Sequence, residues 1–159
     1  MNKQEIHDAC FNVLMKNPIV KFKKLSPDAK LPTKADSGSA CYDLYSVEDI
    51  TVAPHCRTLV KTGLAWKPPV NVEMQIRPRS GMALKSGITV LNSPGTIDSS
   101  YRGEIGVILY NTSDSHFKVS KGDRIAQAKI SFVDEFELME TDILDSTERG
   151  TGGFGHSGK

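Results

Sequence analysis

The chain has 159 residues and a formal net charge of +1, from 20 Lys and Arg against 19 Asp and Glu. That length suits one domain with its own core, and the near balance of charge leaves no global field to draw in nucleic acid or an anionic membrane. Cys10, Cys41 and Cys56 are odd in number and form no CxxC pair, which argues against a disulfide framework and a zinc site. Reduced thiols, no apolar run of membrane-spanning length and no secretory pattern at the start predict a cytoplasmic protein.

In chain order, Ile6, Cys10, Val13 and Leu14 fall at helical spacing and Pro18 closes the run. This predicts an N-terminal extension over 1–18, a short amphipathic helix that packs on the rest of the chain or offers its face to a partner. From Ile19 onward the patterns are those of strands: Ile19–Leu25, Arg57–Trp66, Val70–Arg77, Gly87–Leu91, Ile105–Tyr110, Arg124–Val133 and Phe136–Thr141. The clearest alternates Val70, Val72, Met74 and Ile76 with Asn71, Glu73, Gln75 and Arg77. Turn signals such as Ala53-Pro54-His55, Lys67-Pro68-Pro69 and Lys121-Gly122-Asp123 separate the runs, so residues 19–141 predict an all-β sandwich, barrel or jelly roll. Residues 142–159 read as a linker and a glycine-rich arm.

Several segments carry chemistry. Asp43 stands among small, near-neutral neighbours at the start of a strand, where a carboxylate can hold a hydrated metal ion or serve as an ordinary strand residue. Arg79-Ser80-Gly81 sets a cation, a hydroxyl and a glycine in succession, an anion cradle if a helical turn begins there and otherwise a corner. Gly87–Ile97 has two β-like arms around Pro94-Gly95 and reads as a hairpin; Asp98 follows it, placed to deprotonate a water, and Tyr101 can present its ring to a sugar. Asp98 to Gly103 fits an ordinary turn equally well. In Gly122-Asp123-Arg124-Ile125-Ala126-Gln127 the glutamine offers a neutral donor and acceptor. The tail from Glu148 to Gly158 sets Arg149, Phe154 and Ser157 among glycines, which suits an arm that closes over a nucleotide: arginine for phosphate, phenylalanine for a base. A disordered terminus has the same composition.

Taken in order, Ala-Cys-Tyr-Asp-Leu, Arg-Ser-Gly, Gly-Thr-Ile-Asp-Ser-Ser-Tyr-Arg-Gly-Glu, Gly-Asp-Arg-Ile-Ala-Gln and Arg-Gly-Thr-Gly-Gly-Phe-Gly resemble the five motifs of the trimeric dUTP pyrophosphatases. The resemblance runs from about Ile19 to Gly158 and leaves the N-terminal helix aside. It implies a jelly-roll-like β subunit in a homotrimer that converts dUTP to dUMP and pyrophosphate with Mg²⁺. It further implies that each site takes its first, second and fourth motifs from one subunit, its third from a neighbour and its arm from the remaining one.

Carried onto these positions, the resemblance makes Asp98 the carboxylate that activates water and Tyr101 the ring beneath the deoxyribose. It makes the Gly87–Ile97 segment, with Asn92, Gly95, Thr96 and Ile97, the uracil pocket. Arg79, Ser80, Gly81 and Gln127 become phosphate contacts, and Asp43 a ligand to Mg²⁺ through water. From the arm, Arg149 grips the terminal phosphate, Phe154 covers the base, and Gly155 and Ser157 add contacts. His156 departs from the small hydroxyl residue expected there. Ile108 stands where a related dCTP deaminase should carry a glutamate, which argues against deamination. A nucleotide-dependent interaction protein and a structural jelly-roll subunit are the other readings; Asp98, Tyr101 and Arg149 favour catalysis over the first, though the two roles can coexist, and the second gives no reason for the Asp98–Tyr101 pair or the arm.

Overall fold

The computed structural model describes residues 18–153. The predicted N-terminal helix, and Phe154, Gly155, His156 and Ser157 of the arm, lie outside them. The body is all-β, as expected of a jelly-roll-like fold, with strands β1 (Lys21–Lys24), β2 (Tyr42–Tyr45), β3 (Ile50–Val52), β4 (Arg57–Lys61), β5 (Leu64–Lys67), β6 (Val72–Arg77), β7 (Ile88–Val90), β8 (Gly95–Ile97), β9 (Gly106–Asn111), β10 (Phe117–Val119) and β11 (Arg124–Phe132). A single short helix, α1 (Ser80–Ser86), links β6 to β7 among the described residues. The sheets run β2-β11-β6-β8, β4-β9-β7, β1-β5 and β10-β3, with antiparallel neighbours throughout.

The core is what the period-two patterns specify. Val72, Met74 and Ile76 of β6, Val107 and Leu109 of β9, and Leu44, Ile125 and Ala126 from β2 and β11 all point inward. Trp66 is the largest side chain among them. Each fully buried Leu, Ile, Met or Val contributes roughly 1.5–3 kcal/mol through the water it sheds. Asn111 is a buried polar exception. Its side-chain nitrogen donates to Val52 O and Ser115 O, and its oxygen accepts from Ser113, so burial leaves neither atom unpaired.

Four expectations are corrected. Val70 is 82% exposed, because Pro68 to Asn71 form the turn into β6 and Asn71 adopts φ 58°. Arg57–Trp66 is two strands, broken at Gly63, whose φ of 66° a side chain would strain; an added Cβ would also lie 2.8 Å from Val47. The two arms of Gly87–Ile97 do not pair with each other: β7 joins β9, while β8 joins β6 in the other sheet. The segment is therefore a crossing between sheets, with a cis Ser93-Pro94 bond at its bend. Phe136–Thr141 forms no strand. After Val133, whose N–H donates to Asn71 O, the chain forms no further helix or strand among the described residues, with Phe136, Leu138, Met139, Ile143 and Leu144 all more than three-quarters exposed. No helix among the described residues is long and apolar enough to cross a membrane.

Candidate active site

One half of the site is a row across the four-stranded sheet. In the β2-β11-β6 register Asp43 lies opposite Gln127, and Gln127 opposite Arg77. Partners across an antiparallel pair share a face, and this face is the one turned away from Leu44, Ala126 and Ile76. The Asp43 side chain is 14% exposed and gripped from two sides: Oδ1 lies 3.2 Å from Arg79 Nε, and Oδ2 lies 3.2 Å from Arg124 Nη1. Arg79 Nη1 also donates to Arg124 O at 3.1 Å, and Gln127 Nε2 donates to Pro78 O at 2.8 Å. Helix α1 starts at Ser80, directly after Arg79, which keeps extended φ/ψ of −90° and 127°. The first intrahelical bond runs from Ala83 N–H to Arg79 O, so the amides of Ser80 and Gly81 precede it and lack helical partners. An added Cβ on Gly81 would meet nothing within 4 Å, which leaves that side of the backbone open to a ligand.

Cations outnumber the carboxylate in this cluster, so it suits an anion that competes with Asp43 for the guanidinium groups. Arg124 and Arg77 were given no role by sequence reasoning. Arg124 was visible as the residue after Gly122-Asp123, but its approach to Asp43 depends on a register shift between Arg124 and Ala126 that no local pattern shows.

The second half is a cavity of about 210 Å³ beneath the β7–β8 crossing, lined in part by Asn92, Gly95, Ile97, Tyr101 and Ile108. It is smaller than the ~300–1,000 Å³ of pockets for drug-sized ligands, and suits one planar ring. Thr96, exposed on β8, is not among its lining residues. Asp98 follows β8 directly and is exposed at the start of a turn. Tyr101 N–H donates to Asp98 O at 3.1 Å, and Arg102 Nη1 donates to Ser99 O and Tyr101 O. The turn is thus braced from its own side chains, while the Asp98 carboxylate accepts no hydrogen bond from another described residue.

Tyr101 lies back over Gly103, with its hydroxyl donating to Glu104 O at 3.0 Å. A Cβ at Gly103 would sit 2.4 Å from Tyr101 Oη and 2.6 Å from Cζ, so only glycine accepts the ring there. Glu104 Oε1 in turn accepts from Gly63 N–H at 2.9 Å, and Ile105 N–H donates to Leu64 O at 2.7 Å. The positive-φ break between β4 and β5 is therefore what anchors the Asp98 turn.

Arg149 sits in a local turn, its Nε donating to Gly152 O at 2.8 Å. Among the described residues no group of three or more His, Cys, Asp or Glu side chains converges on one point.

A dUTPase family model matches residues 27–158. The deoxyuridine 5'-triphosphate nucleotidohydrolase of Nautilia profundicola is 51% identical over 140 residues, covering 88% of this chain and 99% of that one. The protein of the same name from a Picosynechococcus strain is 52% identical over 135 residues, covering 85% and 95%. Among solved structures, a variant dUTPase of Staphylococcus bacteriophage 80alpha with dUpNHpp aligns with a TM-score of 0.82 at 26% identity, covering 89% and 99%. A dUTPase variant of phage phi11 of S. aureus, described as coordinating a structural Mg(II) ion, shares the fold with a TM-score of 0.74 at 21% identity, covering 80% and 99%.

Proposed function

The chain belongs to the dUTPase family and hydrolyses dUTP, and from that premise we propose that Asp98 activates the attacking water and that the water strikes the α-phosphorus. The new bond joins the water oxygen to that phosphorus, the bond to the bridging oxygen breaks, and dUMP and pyrophosphate leave. The observation that carries this reading is the braced turn, which fixes an exposed Asp98 carboxylate, unpaired among the described residues, next to a cavity sized for one ring. Asp98 takes the water's proton, a step worth about 10²–10⁴-fold. Removing dUTP keeps uracil out of DNA, and the dUMP feeds thymidylate synthesis.

In this proposal uracil enters the cavity, where backbone groups of Gly95 to Ile97, together with Asn92, recognise its edge. The triphosphate lies along Arg79, Ser80, Gly81 and Gln127, and draws Arg79 away from Asp43. The donors present fit a metal that arrives on the triphosphate: Asp43 supplies a hard carboxylate, and no preformed cage of protein ligands surrounds it among the described residues. Asp43 would hold such an Mg²⁺ through water, and the ion would supply neutralisation of the phosphate charge. Deamination of a cytosine is disfavoured. Ile108 in the cavity wall cannot move protons, and the Glu104 carboxylate is committed to Gly63 N–H.

We assign the chain to a homotrimer. The segment after Val133 exposes five large apolar side chains, and docking on a neighbour would recover roughly 1.5–3 kcal/mol for each one buried. The arm over 142–159 then reaches a site that its own chain does not build.

Two measurements test the chemistry. Hydrolysis in ¹⁸O water should place the label in dUMP; label in pyrophosphate would move the attack off the α-phosphorus. Gly103→Ala should push the Tyr101 ring off its seat, lowering kcat/KM for dUTP about tenfold or more and narrowing the preference for dUTP over UTP. An unchanged preference would mean that the ring does not judge the sugar.

A further inference from the structure

Leu59 lies on β4, outside every motif, yet it lines the same cavity as Asn92 and Tyr101. In the β4–β9 register it faces Ile108, and its side chain leans diagonally towards Gly106, two residues along the partner strand. A Cβ built on Gly106 would fall 2.7 Å from Leu59 Cδ1 and 3.4 Å from Cγ, so the leucine rests on bare backbone. Leu59 is nevertheless 56% exposed, an apolar side chain held at the mouth of a polar site instead of in the core.

We propose that Leu59, seated on Gly106, is a base-contacting residue of the dUTP pocket, and that residue 106 is glycine so that Leu59 stays clear of the space the pyrimidine fills. The proposal rests on the reading of this cavity as the uracil pocket. With Ile108 across the strand pair and Gly106 below, a displaced Leu59 has the cavity that it already lines to move into. An apolar wall also suits the task, because a pyrimidine ring offers one hydrogen-bonding edge and leaves the rest of its outline to be held by contact.

The test is steady-state kinetics on dUTP for Leu59→Ala, Gly106→Ala and the double variant, with melting curves to verify folding. Leu59→Ala should raise KM about tenfold with kcat within a few fold, and Gly106→Ala should raise it about 10–100-fold. In the double variant KM should fall back to that of Leu59→Ala, since the side chain that Gly106→Ala displaces is gone. Should the two effects multiply instead, the added methyl acts by itself and the proposal fails. An unchanged KM in Leu59→Ala sinks it too, even if Gly106→Ala does not fold. Amide shifts of Gly95, Gly106 and Ile108 on adding dUMP to the unaltered protein separate the two readings. Shifts there with an inert Leu59→Ala overturn the Leu59 assignment alone, whereas no shifts there overturn the pocket itself.

Discussion

Asp98→Asn should bind dUTP with nearly unchanged affinity and lose about 10²–10⁴-fold in kcat. The amide has the shape of the carboxylate but cannot accept the water's proton, so the loss falls on the chemical step. Folding should be spared. Asp98 is exposed, and the bonds that hold its turn come from its backbone carbonyl, Arg102 and Glu104, none of which the substitution touches. Calorimetric titration with dUTP and Mg²⁺, beside single-turnover rates, separates binding from chemistry. A variant that loses affinity while keeping its turnover rate would make Asp98 a binding group and leave the water without a base. The same experiment with Asp43→Asn should show the opposite weighting, since Asp43 stands among phosphate-binding groups and its loss should appear first in the Mg²⁺ dependence.

What could be read beforehand follows the reach of each signal. The period-two runs of β6 and β9 and the long β11 were legible because one face of each meets the core, and alternation is a local property. β3 and β10 are three residues each, too short to show a period, and they exist because they pair with each other across 65 or so residues of chain. The Gly87–Ile97 arms looked like a hairpin because two apolar runs flank Pro94-Gly95. Which strand each run pairs with is decided by sheets formed from distant segments.

The site divides along the same line. Asp43, Arg79, Asp98 and Tyr101 stand in contiguous motifs, so one segment is enough to single each of them out. Arg124 beside Asp43, Arg102 bracing the turn, Glu104 tied to Gly63 and Leu59 over Gly106 all depend on register or on side-chain direction, which no single segment encodes. Phe136–Thr141 is the instructive miss. Its composition is that of a strand, but a strand requires an edge to pair with, and it pairs with none among the described residues.

That missing edge leads to the second large effect. Arg149→Ala should cost about 10²–10³-fold in kcat, the scale for removing one preorganised donor from a developing charge, while the melting temperature stays put because among the described residues Arg149 bonds only within its own turn. The loss identifies the group but not the chain it serves. Co-expressing Asp98→Asn and Arg149→Ala chains in equal amounts resolves that. If each site joins an Asp98 from one chain to an arm from another, about one quarter of the sites in randomly mixed trimers hold both intact groups. If each arm serves the Asp98 of its own chain, no site does. The exposed apolar run from Phe136 to Leu144, and the local turn in which Arg149 bonds Gly152, lead us to expect recovery of about a quarter of wild-type activity. Mixtures no more active than either variant alone would return the arm to its own chain. The apolar run would then have to be covered by something other than a neighbouring copy.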